Sequence, residues 1–365
     1  MVIMNKNDTF MSLYAILNDR QKFIIDFARK EKSFQTKDIL AVIEGKFDVK
    51  RLTVVRDLSF LEQNTILKKE GKGRSISYTL SKLYLALEKI DGEQYFSRPF
   101  SEREAKPLFN DEIFSILNDD LFSEEEIERL ETRNEKYIKT RNKLTQDSPA
   151  IFRKEWERLI IELSWKSSEI EGNTYTLLET EALIREMRFA KGKDKAEAQM
   201  ILNHKKTLDF ILAHKDYFED MNLDKIIKTH EFLTEKIDIQ RDFRDHPVGI
   251  TGTLYRPLPR KKDIADAMEK LVESLVGVMN PFVKAFIILV MIAYIQPFED
   301  GNKRTSRIIA NAVLHAHNKS MLSYRNVDSV EYKKAMILFY EQNNIAYMKE
   351  IFIQQFEFAV ENYFG

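Results

Sequence analysis

Along most of the chain apolar residues return every three or four positions, the spacing of helices that bury one face. Phe23, Ile24, Phe27 and Ala28 form the first such stripe. Thr36 is placed to cap a second helix carrying Ile39, Leu40 and Ile43, and Leu52, Val55, Leu58 and Leu61 line a third. Two runs at 65–69 and 75–80 then flank Gly71-Lys72-Gly73, which predicts a pair of strands joined by a turn. The pattern breaks over 91–109, where Gly92, Pro99 and Pro107 sit among charges. A linker is expected there, between a small domain at 1–90 and a large one at 110–365. Trp156, Leu159, Ile160 and Leu163 make another amphipathic helix. The run Pro281 to Ile295 is apolar nearly all round and reads as the central buried helix. Pro297 disfavours helical geometry at Gln296, so Gln296 should sit at the mouth of a loop. After Gly301-Asn302 a new helix, Lys303 to His317, should bury Ile309, Ala312, Val313 and Ala316. The fold class expected is mainly α, with few and short strands.

Composition narrows the function. With 365 residues, 44% of them hydrophobic, the chain can bury one large core beside a small one. A formal charge of −1 argues against a polyanion partner spread over the whole surface. Locally the picture differs, because 49–74 holds seven bases against three acids. Three helices followed by two strands resemble a winged helix-turn-helix. Lys50, Arg51, Arg56, Lys72 and Arg74 would then meet DNA phosphates while the third helix enters a major groove. The alternative is a protein–protein or dimerisation element, with the chain a homodimer. Zero cysteines exclude disulfides, thiolate nucleophiles and cysteine-bound metals, and the six histidines lack metal-ligand spacing. Residues 1 to 20 carry no basic segment followed by an apolar core, so no secretory signal is expected, and the expected compartment is the cytoplasm. Phe286 to Ile295 is too short to cross a bilayer, and no membrane partner is expected.

The densest chemistry lies in Gln296-Pro297-Phe298-Glu299-Asp300-Gly301-Asn302-Lys303-Arg304-Thr305-Ser306-Arg307. A glycine-asparagine turn opening a helix leaves first-turn N–H groups free for a phosphate. Arg304 and Arg307, three apart, share a face beside that hole, and Asp300 offers a hard oxygen suited to magnesium bridging phosphates. Phe298 should point into the core. The segment resembles the signature of the Fic (fido) family, His-x-Phe-x-Asp/Glu-Gly-Asn-Gly-Arg-x-x-Arg, and departs from it at two places: Gln296 stands for the catalytic histidine and Lys303 for the second glycine. Ser167-Ser168-Glu169-Ile170-Glu171-Gly172-Asn173, at the end of a helix expected over about 152–172, resembles the inhibitory motif of Fic proteins that carry it ahead of the core. There Ser167, Glu171 and Gly172 would hold the motif positions, and Glu171 would pair with Arg307. The stretches Phe243-Arg244 and Val248 through Thr253, Leu254 and Tyr255 resemble the family's flap, which docks a target by strand addition. The resemblance implies a helical Fic fold with a short β-hairpin flap, preceded by the small winged domain.

The same resemblance implies a protein adenylyltransferase that binds ATP with Mg2+ and moves AMP to a hydroxyl of an unknown protein target. Gly301, Asn302 and Lys303 would form the anion hole, Arg304 and Arg307 would bind phosphates, and Asp300 would hold the metal. A glutamine amide has no basicity near neutral pH, and loss of a general base costs about 10²- to 10⁴-fold in rate. Among the histidines only His246 lies near the expected flap, where it reads as a surface turn residue. The Doc branch of the superfamily also carries lysine at the place of Lys303 and transfers phosphate. Two alternatives to adenylylation thus stand: Doc-like phosphate transfer, and a DNA-binding regulator with a catalytically inactive Fic domain.

Overall fold

The computed structural model describes residues 17–364; residues 1–16, which hold most of the stretch read for a secretory signal, lie outside the described residues. Two units fall apart by internal packing, one running to Ile90 and including Leu121–Glu126, the other made of Asp91–Asp120 and the chain from Ile127 onward.

In the first unit, α1 (Asp19–Glu31), α2 (Thr36–Ile43) and α3 (Arg51–Gln63) precede two strands, β1 (Leu67–Glu70) and β2 (Ser77–Leu80), and the short α4 (Lys82–Leu87). The strands pair antiparallel, with Leu67 opposite Leu80 and Glu70 opposite Ser77. Asn18 caps α1 through a reciprocal capping box with Gln21. Ile24, Ala28, Ile39, Ile43, Leu58 and Leu61 are fully buried, as their spacing predicts. The third stripe needs a correction: α3 buries Val54 in place of Leu52 and Val55, which are exposed. The reason is that Asp57, one turn from Val54, faces inward and accepts from Arg20 and Gln21 of α1, which rotates the helix off the expected face.

The second unit holds α5 (Gly92–Phe96), α6 (Glu124–Asp147, bar its first residues), α7 (Pro149–Glu169), α8 (Leu177–Glu186), α9 (Lys195–Ala213), α10 (Leu223–Leu233), α11 (Lys261–Val276), α12 (Pro281–Ile295), α13 (Asn302–Ala316), α14 (Ser329–Gln342) and α15 (Ala346–Tyr363). The apolar run is indeed the core helix: every residue of α12 from Phe282 to Ile295 except Lys284 is buried, with Asn280 capping its start and Pro281 in its first turn. The helix α13 packs along it and buries Ile309, Ala312, Val313 and Ala316. Among the described residues no helix is long and apolar enough to cross a membrane.

Two expectations fail here. Residues 91–109 are not a free linker. Lys106 N donates to Glu341 O at 2.8 Å, Tyr95 Oη donates to the Glu341 carboxylate at 2.6 Å, and the buried Arg103 pairs with Glu341 at 3.3 Å. Proline and glycine broke the helical pattern there without breaking the packing. The flap segment forms no strand ladder among the described residues; it is a loop with a turn at Thr251-Gly252 and one isolated bridge between Leu108 and Arg256. Pro247, Pro257 and Pro259 deprive it of ladder donors, and Arg244 takes up its carbonyls instead.

Candidate functional site

The α12–α13 turn is organised from within by Asn302. This buried side chain accepts from Phe298 N at 2.8 Å and donates to Phe298 O at 2.8 Å and to Gln296 Oε1 at 3.0 Å. Its amide therefore faces the loop, and what Asn302 can offer an anion is its backbone N–H. Gln296 ends α12 in a left-handed conformation, φ 52°, rather than the extended one its following proline favours. Its Nε2 donates to Ala293 O at 2.7 Å, so both ends of the amide are engaged. Gly301 opens α13 at φ 80°, and a Cβ there would meet the His230 ring at 3.5 Å. No side chain caps α13, which leaves its first N–H groups to the cleft.

Three groups support this turn through contacts that the sequence did not disclose. His230 stacks on Phe298 with ring centroids 3.7 Å apart and donates from Nε2 to Asp300 O at 3.0 Å. Burial, ahead of the nearby Arg304, holds its pKa down to about 4, so it is neutral and can donate from this nitrogen at physiological pH. Arg244, fully buried, donates from Nε to Gln296 O at 2.8 Å and from Nη2 to Leu258 O at 2.7 Å, which bolts the flap loop to the turn. Tyr332 and Tyr340, both buried, line the opposite wall. Histidines scattered in sequence and an isolated Phe-Arg pair carry no periodic signal, and only the packing joins them.

A cleft of about 470 Å³ opens on this turn. Gln296, Asp300, Gly301, Asn302, Lys303 and Arg304 line one side of it and Glu171 another. Across it lie Val248, Gly249, Ile250 and Thr251. Of the stretch expected as the flap, its first part, Val248 to Thr251, lines the cleft, and Thr253, Leu254 and Tyr255 do not. Tyr255 is buried, donates to Tyr294 O at 2.8 Å and stacks between Tyr294 and Tyr340, while Thr253 accepts from Tyr255 N and Leu254 is exposed. His246 is exposed and contributes a carbonyl to Arg244.

Charge converges on Glu171. Arg307, fully buried, donates from Nη1 to Glu171 Oε1 at 2.8 Å, from Nε to Ser167 Oγ at 3.0 Å and from Nη2 to Ser167 O at 2.7 Å. Lys303 Nζ lies 3.3 Å from the other oxygen of the same carboxylate. Gly172, at φ 98°, lets the chain turn away directly after it. Burial would raise the Glu171 pKa, but Arg307 and then Lys303 outweigh it and hold the carboxyl below its ordinary value. Burial likewise opposes the charge on Arg307, and Glu171 more than restores it. Arg304 and Arg307 have different partners. Arg304 donates to Asp300 Oδ2 at 3.0 Å and keeps a buried Nη1 without a hydrogen-bond partner, whereas Arg307 is wholly occupied by α7 and Glu171. The Asp300 side chain, 61% exposed, also accepts from Gly301 N at 2.6 Å. Among the described residues no group of three or more acids and histidines is arranged to hold a metal. In the first unit Lys50, Arg51, Arg56, Lys72 and Arg74 are exposed.

Residues 220–314, which span α10 to α13 and the whole turn, match the model of the Fic/DOC family. Curated relatives include proteins named protein adenylyltransferase Fic from Nematostella vectensis, 27% identical over 157 residues, and from Drosophila erecta, 26% identical over 174. Those alignments cover 41% and 46% of this chain and 36% and 34% of the relatives, so the chain matches about a third of their length. Similar solved structures include a Fic domain containing signaling protein from Bacteroides thetaiotaomicron and Fic-1 from C. elegans, each with a TM-score of 0.53. The first is 17% identical, over 64% of this chain and 95% of its own; the second is 16% identical, over 65% and 71%. Sequence and fold point the same way: residues 220–314 match the Fic/DOC family, and the chain is similar in fold to solved Fic domain proteins.

Proposed function

We propose that the cleft at the start of α13 binds a nucleoside triphosphate, ATP by analogy with the relatives' names, and that this domain is a protein adenylyltransferase held off by Glu171 and slowed by Gln296. The observation that carries the reading is the Glu171 carboxylate seated between Arg307 and Lys303, an anion already occupying cations beside an uncapped helix start. A phosphate chain entering the cleft would compete for the same cations, and the unpartnered Nη1 of Arg304 would gain an acceptor. The backbone N–H groups of Asn302 and Lys303 would take further phosphate oxygens. The exposed carboxylate of Asp300 fits one Mg2+ held together with phosphate oxygens and waters, an ordinary way to bind that ion. Bound there, the ion would neutralise phosphate charge. A target segment would lie along Val248–Thr251, which line the cleft.

Gln296 sets the rate. Its Nε2 and Oε1 are spent on Ala293 and Asn302, and neither atom is a base, so a target hydroxyl keeps its proton. The first prediction is therefore that Gln296→His, combined with Glu171→Gly, gains one AMP mass per chain, or transfers α-labelled AMP, when incubated with Mg2+ and ATP. The expected rise over Glu171→Gly alone is about 10²-fold or more. A gain of one phosphate mass would move the reaction to the Doc type, and no gain in any variant would remove the transferase reading. The second reading, DNA binding by a winged helix-turn-helix in the first unit, is favoured by one observation. Lys50, Arg51, Arg56, Lys72 and Arg74 are exposed with no ion pair among the described residues, while Lys69 pairs with Glu62. A salt-dependent affinity for duplex DNA, weakened by Lys72→Glu with Arg74→Glu, would be its mark.

A further inference from the structure

A second groove, of about 730 Å³, runs along the outer side of α7 and belongs to no part of the turn described above. Its wall is aromatic: Phe152 and Trp156 meet edge to face at 6.1 Å, and the His315 ring stands against Trp156 at 5.6 Å. Its apolar floor comes from Ile160 and Ile161 of α7, Ile184 of α8 and Leu212 of α9. Four cationic side chains surround it. Two of them are neutralised inside the groove, Arg185 by Glu157 at 2.9 Å and Lys205 by Asp209 at 2.5 Å. The other two are not. Arg141 reaches only amide oxygens, of Asn318 at 3.3 Å and Asn142 at 3.4 Å, and lies over the Tyr137 ring. The side chain of Arg153 has no hydrogen bond or ion pair among the described residues. The buried Nδ1 of His315 likewise has no hydrogen-bond partner. Apolar walls, a net positive rim and an unfilled polar atom within the lining are the makings of a small-molecule pocket, and the volume is in the usual range for one.

We propose that this groove is a binding site for a small amphipathic anion, an aromatic or acyl group bearing one carboxylate, sulfonate or phosphate. The apolar body would lie against Trp156, Ile160 and Leu212, and the acid would meet Arg153 and Arg141 at the rim. The choice of an anion follows from the charge count, since two cations are unmatched and both carboxylates of the groove are spent. The site shares no lining residue with the nucleotide cleft, and its ligand would rest on the helix that carries Ser167, about 16 Å further along α7 from Trp156.

Two probes differing only in charge test it on the full chain: 8-anilino-1-naphthalenesulfonate and its uncharged counterpart N-phenyl-1-naphthylamine. The expected result is saturable binding of the sulfonate at one site per chain, about tenfold or more tighter than the neutral probe. Hydrogen-exchange protection should localise to residues 150–161. Arg153→Glu and Arg141→Glu should each weaken the sulfonate about tenfold and leave the neutral probe unchanged, whereas Lys262→Glu, outside the groove, should alter neither. Equal affinity for both probes, indifference to the two charge reversals, or protection elsewhere in the chain would overturn the proposal. So would a concentration-dependent dimer, seen by sedimentation, that excludes both probes, because the groove would then be an interface between copies.

Discussion

Asn302 bears more of the site than its place in a phosphate-binding turn suggests, because its amide joins three partners that no other side chain could reach together. Replacing it by alanine strands Phe298 N and the Gln296 amide in a buried setting, so Asn302→Ala should lower stability by about 2 kcal/mol. Chemical denaturation of the two proteins checks this, and a change within 0.5 kcal/mol would show the clamp to be dispensable. His230, His204 and His315 give the pH dependence. Burial holds all three below the ordinary histidine value, His230 and His315 to about 4 and His204 to about 3. The sign follows from proton uptake: between the ordinary value near 6.5 and these lowered ones, the unfolded chain binds more protons than the folded one. Stability is then fully present above about pH 6.5 and lost progressively down to about pH 4 for His230 and His315 and about pH 3 for His204, a trend that denaturation midpoints measured across this window should reproduce. A flat midpoint from pH 7 to 5 would contradict it. Glu171 has the same sign as these histidines but acts in a lower window: its lowered pKa means that its pairing stabilises the fold above the ordinary carboxylate value and is lost only as pH falls through the lowered one. At neutral pH the clamp is closed.

Among elements, those with an unbroken apolar rhythm were readable and those defined by polar contacts were not. The α12–turn–α13 unit follows from its hydrophobic run, Pro297 and Gly301, and the helix carrying Ser167 follows from Trp156, Leu159, Ile160 and Leu163. The face of α3 did not, since a buried aspartate, Asp57, outweighed Leu52 and Val55. Nor did the flap. Its shape depends on Arg244, whose three carbonyl acceptors lie 2, 14 and 52 residues away in the chain. In the site, Asp300, Arg304 and Arg307 could be picked out from spacing, and Lys303 and Glu171 from the family resemblance, but their division of labour could not. That Lys303 shares Glu171 with Arg307 depends on how α7 crosses the start of α13, a matter of tertiary packing.

At the scale of the whole molecule, residues 91–120 belong with the second unit, and one buried ion pair marks the junction. Arg103, paired with Glu341 and donating to Gly252 O at 2.7 Å, ties the segment to α14 and to the flap turn together. A fragment beginning at Asp91 should therefore fold with native-like cooperativity, while one beginning at Leu121 should be markedly less stable, by about 3 kcal/mol or more, because Glu341 would be left buried without its cation. Thermal melts of the two fragments decide this, and equal melting temperatures would show the segment to be a linker after all. The central claim, that the cleft is a nucleotide site closed by the chain's own carboxylate, is tested most directly by isothermal calorimetry of Mg2+ and ATP against the unmodified chain and Glu171→Gly. Freeing Arg307 and Lys303 should tighten binding by about tenfold or more, the worth of a charge-assisted contact regained by the phosphates. Equal affinities, or no binding to either protein, would contradict it.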